Sequence, residues 1–186
     1  MPDVSNVTAG KPNVSGSIFR APFGTSLPTS TSASLNAAFK EMGYASEDGV
    51  TNTNTPETES IRAWGEDVVL TVQSSKDDTF QFTLIEALNE DTLAAVYGSG
   101  NVSGTLSSGI TINANADEAE EASWVIDMVM RNGAAKRIVI PDAKITEIGD
   151  IVYADNEAVG YEITLTAMPD SSANTHYEYM KAAASV

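Results

Sequence analysis

The chain has no cysteine, a single histidine and no long hydrophobic run among its 186 residues. Without cysteine it can form neither a disulfide nor a thiolate metal site. One histidine is too few for a histidine-based zinc site, and the place of His176 near the C-terminus predicts an exposed side chain rather than a catalytic base. No apolar stretch approaches the ~20 residues that span a bilayer, so no membrane partner is expected.

Positive charge is also scarce. Ten Lys and Arg residues stand against 26 Asp and Glu residues, which gives a formal net charge of −16. Lys136–Arg137 is the only adjacent basic pair. Proteins that read DNA neutralise phosphates with clustered Lys and Arg, and this chain offers no such cluster. The charge therefore excludes a sequence reader but is compatible with a surface that repels DNA.

Motifs for catalysis or cofactor binding are missing as well. The densest group of carboxylates, at residues 117–121, lacks the spacing of a calcium loop and predicts a solvated acidic loop. The Gly-rich segment 98–104 precedes strand-like sequence, so it offers no helix N-terminus to a phosphate. The sequence accordingly predicts no enzyme, no metal site and no cofactor.

What the chain does have is alternation of apolar and polar residues, which is typical of strands. Two short helices are also predicted, one at residues 34–43 and one at 89–98 with Asp91 as a possible cap and Gly98 as its end. A third short helix is possible at 177–184. The predicted strands lie at residues 17–21, at 66–73 and 80–84 around the turn SSKDDT, at 124–130 and 135–140 around Asn132–Gly133, and at 143–154 and 159–169 around Asp155–Asn156.

This series predicts a mainly β fold, an antiparallel β-sandwich or barrel with one flanking helix and long extended arms. The proposed divisions are an N-terminal arm at 1–33, the sandwich at 34–170 with a long polar loop at 44–65, and a C-terminal tail at 171–186. Loops of this length are uncommon in compact domains and usually serve binding. Strand-rich chains without an active site generally make surfaces, and the arms favour self-assembly.

Five segments in this order resemble the major tail proteins of long-tailed, non-contractile bacteriophages, over roughly residues 10 to 170. Each segment is a pattern of strands and turns, and the complete series carries the resemblance. The segments are ASEDGVT (45–51), ESIRAWGEDVVLTVQ (59–73), DTFQFTLIEALNEDTLAAVYG (78–98), RIVIPDAKITEIGDIVY (137–153) and GYEITLTAMPD (160–170).

The resemblance implies a tail tube subunit that forms hexameric rings stacked into a hollow tube. Phage DNA would pass through the lumen without specific binding, and a tape-measure protein, a tail terminator and distal tail proteins would be further partners. The absence of signal-peptide features at the N-terminus predicts assembly in the cytoplasm of the bacterial host, and the resemblance implies final residence in the virion tail.

The strand pattern and the arms supply candidate residues for such a tube. The residues on polar strand faces that could line the lumen are Asp127, Glu162, Thr164, Thr71 and Gln81. The candidates for contacts between subunits and rings are Phe19, Phe23, Glu47, Asp48, Ile61 and Trp64. Two alternatives remain open at this stage: a non-assembling binding module of the lectin or adhesin kind, and an acidic hydrolase on a β scaffold.

Overall fold

The computed structural model describes residues 1–13 and 17–183. Residues 14–16 of the predicted arm and 184–186 of the predicted tail lie outside this described part. Within it the chain forms one α-helix, two 3-10 turns and eleven strands. These elements are β1 (Gly10–Pro12), β2 (Ile18–Pro22), β3 (Lys40–Glu41), β4 (Ala45–Arg62), β5 (Val68–Leu84), α1 (Glu90–Tyr97), β6 (Val102–Thr105), β7 (Gly109–Ile112), β8 (Ala122–Met130), β9 (Ala135–Ile148), β10 (Tyr161–Ala167) and β11 (Tyr177–Lys181), with 3-10 turns at Val4–Asn6 and Ser99–Asn101.

Nine strands join in one antiparallel sheet in the order β3-β2-β8-β9-β10-β5-β4, with β1 beside β8 and β11 beside β9. Strands β6 and β7 form a separate pair. Two strands, β9 and β10, separate β5 from β8 in this order, yet Phe82 and Trp124 pack with ring centroids 6.0 Å apart. The sheet must therefore curl until its two halves face each other, which confirms the predicted β-sandwich.

The core lies between these halves and is filled by every second residue of the strands. In β10, Tyr161, Ile163 and Leu165 are buried, whereas Glu162 is exposed. Phe80, Phe82 and Leu84 of β5 alternate in the same way, and Trp124 of β8 is buried as well. Burying one such apolar side chain stabilises the fold by roughly 1.5–3 kcal/mol, so the period-two pattern selects the inward face.

Helix α1 covers one end of this core with Leu93, Ala95 and Val96. Its N-cap is Asn89, whose side-chain oxygen accepts hydrogen bonds from the backbone N–H groups of Asp91 and Thr92. Asp91, the predicted cap, lies two residues further on, in the first turn. Gly98 ends the helix with a positive φ, as predicted.

The helix predicted at residues 34–43 was wrong. Asn36 instead uses its side-chain oxygen to accept the N–H of Ala38 at 2.9 Å, a local turn that competes with helix formation. Leu35 and Phe39 still pack inward, but against a second small cluster around Val125 and Val139. Residues Lys40 and Glu41 then form β3 against β2.

The loop predicted at 44–65 and the turn predicted at SSKDDT were both wrong. Residues Ala45–Arg62 form strand β4, and β5 runs without interruption through SSKDDT. The two make one long hairpin, in which Pro56 is tolerated because β4 is an edge strand. Long polar strands of this kind satisfy their backbone groups through the partner strand, which a single-strand pattern cannot reveal.

Two predictions near the C-terminal half also need correction. The described part of the helix predicted at 177–184 is strand β11, which pairs with the first half of β9. The separate strands predicted at 135–140 and 143–154 are one strand, β9, in which Pro141 sits where the register with β8 shifts. Proline lacks an N–H and is therefore accommodated at such irregularities.

Candidate functional site

One side of the sheet is polar across four adjacent strands, β9, β10, β5 and β4. Directly paired residues of antiparallel strands lie on the same face. Thr164 pairs with Gln81, which pairs with Thr51 across its other edge, so one polar row crosses three strands. We call this side the polar face; its members are Thr51, Thr53, Thr55, Asp77, Thr79, Gln81, Thr83, Lys144, Thr146, Glu147, Glu162, Thr164 and Thr166.

Hydroxyl groups and carboxylates dominate the chemistry of the polar face. The side-chain amide of Gln81 donates to Glu162 at 2.5 Å, and the hydroxyls of Thr146 and Thr166 lie 2.8 Å apart. The only cation on this face is Lys144, and its ammonium group donates to the Glu118 carboxylate. The face therefore presents hydrogen-bonding groups and negative charge, with its single positive charge already paired.

Three of the five lumen candidates, Gln81, Glu162 and Thr164, meet on the polar face. Thr71 does not, because it pairs with Ser60, whereas Gln81 pairs with Thr51. Nine positions of strand β4 separate these two partners, and an odd separation places them on opposite sides of the hairpin. The reversal arises from a bulge in β5 beside Glu57, which the sequence pattern does not mark.

Asp127 is the fifth candidate, and it is buried. The Arg137 guanidinium donates two hydrogen bonds to its carboxylate, at 2.6 and 2.7 Å. Arg137 also donates to the backbone carbonyls of Ser30 and Ala33, which fastens the segment after β2 to the sheet. The Asp127 carboxylate is thus paired with Arg137 inside the fold and offers no free charge to a surface.

The long hairpin projects beyond the other strands. The pairing of β10 with β5 ends at Thr79, so beyond it the two strands of the hairpin pair only with each other within the described residues. Towards its end Ile61 pairs with Leu70, and Val72 lies on the same side. All three are about half exposed, and Trp64 at the turn is fully exposed. We call residues 58–73 the hairpin tip; apolar groups this exposed on a projecting element are typical of an interaction surface.

The remaining interface candidates lie in two other places. Glu47 and Asp48 are exposed in the irregular start of β4, where they border a cleft of about 910 Å³ that β1 and Met128 also line. Phe19 is half-buried in the second apolar cluster, whereas Phe23 after β2 is exposed. The six candidates therefore form no single patch; only Ile61 and Trp64 share the hairpin tip.

A buried polar cluster around Asp78 was missed by the sequence reading. Its carboxylate, 2% exposed, accepts hydrogen bonds from Asn52 of β4 at 2.7 Å and Thr175 at 2.5 Å. The Nδ1 atom of His176 lies 2.5 Å from the same carboxylate, and the imidazole ring meets Phe80 edge-on. His176 is therefore not the exposed residue that was predicted: it joins the segment before β11 to the long hairpin.

These hydrogen bonds decide the ionisation of Asp78. Burial alone would raise the pKa of the carboxyl group, but the donors Thr175, Asn52 and His176 outweigh it and leave the pKa below its ordinary value. Asp78 is thus a structural anion. The only sequence signal for this buried carboxylate is the adjacent pair Asp77–Asp78, because neighbouring residues of a strand point to opposite sides. Asp77 is exposed, and Asp78 points into the core.

Residues 1–13 and 17–183 contain no group of three or more Asp, Glu and His side chains placed to hold a metal ion. In the same part of the chain, no helix has both the length and the apolar character required to cross a membrane.

Comparison with known families identifies a matching family. A sequence model of the family described as phage tail tube protein matches residues 6–185, which span the polar face and the hairpin tip. The comparison with curated proteins finds no match.

Proposed function

Because the chain belongs to the phage tail tube protein family, we propose that it is the subunit of stacked hexameric rings in a long, non-contractile tail. The family membership confirms the resemblance seen in the sequence and makes the chain a structural component of a virion tail. The ring, its six-fold symmetry and the passage of DNA are the proposal. The polar face is the observation that carries it.

The polar face is proposed to line the lumen. Its threonines, Gln81 and the carboxylates Glu147 and Glu162 offer groups that neither attract nor trap phosphates. A ring of six copies would carry a net charge on the order of −100, part of it directed outward and screened by salt. A wall of this composition lets a polyanion slide without being held.

The long hairpin is proposed to provide the contacts between copies. Within the described residues β4 has β5 as its only neighbouring strand, so its outer edge offers unpaired backbone groups to another copy. The hairpin tip adds the exposed apolar groups Ile61, Leu70 and Val72. Pairing along the edge would join neighbouring sheets around the lumen, and burial of the tip would add the apolar area that one chain leaves uncovered. Phe23, Glu47 and Asp48 are proposed to contribute from the outer parts of the subunit.

The partners of this proposal are other copies, DNA in transit and the proteins that measure and close a tail. These are a tape-measure protein inside the tube, a tail terminator and distal tail proteins. Assembly in the bacterial cytoplasm and final residence in the virion tail complete the proposal.

Electron microscopy of purified protein and of tails tests the proposal directly. We expect rings or tubes with a central channel, whereas a chain that remains monomeric at high concentration and is absent from tails would favour the non-assembling binding module.

Cysteine labelling tests which side lines the channel. Because the chain has no cysteine, two variants each carry one thiol: Thr164→Cys on the polar face, and Glu157→Cys in the exposed connection between β9 and β10. We expect a maleimide on a large polymer to label both thiols in monomers but only Cys at position 157 in tubes. Equal labelling of both positions in intact tubes would contradict the proposed lumen.

A further inference from the structure

Lys144 is an exception on the polar face. It pairs with Thr166 of β10, which places its ammonium group among threonines and carboxylates. No other member of the face is basic. Lysine is a strong phosphate binder because its compact charge can meet any phosphate oxygen. Left alone, this side chain would be the one group on the face to which a polyanion adheres.

Glu118 comes from a neighbouring segment and removes this attraction. Strand β8 pairs with β9 up to Ala143, so the chain that leads into β8 runs beside the end of β9 that contains Lys144. From this segment the Glu118 side chain, 85% exposed, reaches the ammonium group of Lys144, which is only 23% exposed. The hydrogen bond and the charge of Lys144 lower the pKa of the Glu118 carboxyl group, so this carboxylate stays ionised at neutral pH.

We propose that Glu118 is a charge shield: it neutralises Lys144 so that the polar face does not bind DNA phosphates. This inference rests on the proposed function, in which the polar face lines the lumen. It assigns to one residue of the acidic segment 117–121 a role that no other carboxylate there shares. Glu120 accepts hydrogen bonds from Arg20 and Ser99, and Asp117 accepts one from Asn115. No ion pair among the described residues includes Glu121.

One unshielded lysine per chain is important because the proposed tube repeats the chain many times. Every copy in a tube would contribute one ammonium group, so the channel would contain a regular ladder of cations. Each contact between a cation and a phosphate releases counterions and weakens as salt rises. An unshielded tube should therefore slow DNA at low ionic strength, and salt should relieve the effect.

A role of the Glu118–Lys144 ion pair in stability would predict different effects of its removal. Exposed ion pairs contribute little to folding, since solvent screens them and both side chains lose freedom. Removing the Glu118 carboxylate should therefore leave the melting temperature of the chain and the assembly of tails unchanged. The readout specific to a shield is the salt dependence of DNA movement.

The test compares phage particles whose tails carry Glu118→Gln, Glu121→Gln, or the double change Glu118→Gln with Lys144→Gln. Glu121→Gln is the matched control, because it removes one carboxylate from the same segment without freeing a cation. Receptor-triggered ejection is followed with a fluorescent DNA dye at low and high salt, and electron microscopy checks that each tail is a normal tube. We expect Glu118→Gln to slow ejection at low salt by up to about fivefold, with normal rates at high salt and in the double variant.

Each outcome bears on the inference. Slow ejection by Glu118→Gln that the double variant restores supports the shield. Equal rates for Glu118→Gln and Glu121→Gln, or a defect that the double variant retains, would overturn it. If normal phage particles contain no tubes of this chain, the proposed tail-tube function is wrong. That result is distinct from a failure of the charge shield, in which the tubes are present but Glu118→Gln has no specific effect on ejection.

Discussion

At the scale of single residues, Asp78 is the centre of one buried polar cluster. It connects both strands of the long hairpin with the segment before β11 through three hydrogen bonds. We expect Asp78→Asn to lower the free energy of unfolding by about 1–3 kcal/mol, because charged acceptors make the stronger hydrogen bonds. Urea denaturation at pH 7 measures this, and Asp77→Asn, an exposed neighbour in the same strand, should change stability much less. Equal effects of the two substitutions would contradict this account.

The lowered pKa of Asp78 also predicts how stability depends on pH. A carboxyl group whose pKa is lower in the folded than in the unfolded protein stabilises the fold fully above the unfolded value, which is about 3.9 for Asp. This contribution is lost as the pH falls through the folded value. The stability difference between the wild type and Asp78→Asn should therefore shrink as the pH falls below about 4. Denaturation curves at pH 5 and below check the prediction; a difference that grows as the pH falls below about 4 would contradict it.

Gly43 is a position where a larger residue would meet both backbone strain and a fixed side chain. Its φ of +73° favours glycine, and a Cβ there would overlap the Glu86 carboxyl group. Glu86 is not free to move, since it accepts hydrogen bonds from the N–H of Tyr44 and the side chain of Asn89. Gly49 has the same φ but open space around it. We expect Gly43→Ala to destabilise by about 1–3 kcal/mol more than Gly49→Ala, the cost of overpacking beyond backbone strain. Thermal melts of both variants measure this, and equal losses would show that Glu86 moves aside.

At the scale of elements, the base of the long hairpin contributes to folding, whereas its tip is proposed to contribute to assembly. Its base is part of the core through Phe80, Phe82 and Leu84, whereas its tip pairs with no other strand in the part of the chain that the structure describes. Changes at the tip should therefore affect contacts between copies and leave the stability of the subunit almost intact. Alternation along β5 places Leu70 and Val72 on one side of the tip and Gln73 on the other.

This arrangement predicts the effect of a charge at the tip. We expect Leu70→Glu to prevent tube formation, while its free energy of unfolding stays within about 0.5 kcal/mol of the wild type. Gln73→Glu adds the same charge on the opposite side and should assemble. Negative-stain microscopy and urea denaturation of both variants provide the measurements. Tubes formed by Leu70→Glu would show that the apolar side of the tip is not buried between copies.

At the scale of the whole molecule, a net charge of −16 opposes the association of identical copies. Salt shortens the range of this repulsion, to about 10 Å at 0.1 M and about 3 Å at 1 M, and it does not weaken apolar contacts. We therefore expect tube assembly to accelerate as NaCl rises from about 0.05 to 0.5 M. Light scattering measures the rate. Slower assembly at higher salt would mean that complementary charges, rather than the hairpin tip, hold the copies together.

The strands of the core and helix α1 followed from the sequence because their signals are local. Alternation in Tyr161–Ala167 and around Trp124 marks the buried side wherever one face of a strand is apolar. The Asn132–Gly133 turn and the stop at Gly98 require backbone conformations that few residues adopt. Composition likewise indicated an acidic, surface-forming protein, and the ordered series of segments indicated its family.

Pairing between residues far apart in the sequence could not be predicted from such local signals. Strand β4 is polar on both sides and contains Pro56, so it became a strand only because β5 supplied its hydrogen-bonding partner. The sides of Thr71 and Gln81 depend on a bulge, and the burial of Asp127, Asp78 and His176 depends on partners up to 98 residues away. A local pattern records what each residue prefers, whereas register, curling of the sheet and ion pairing are set by which distant groups the packed core brings within reach.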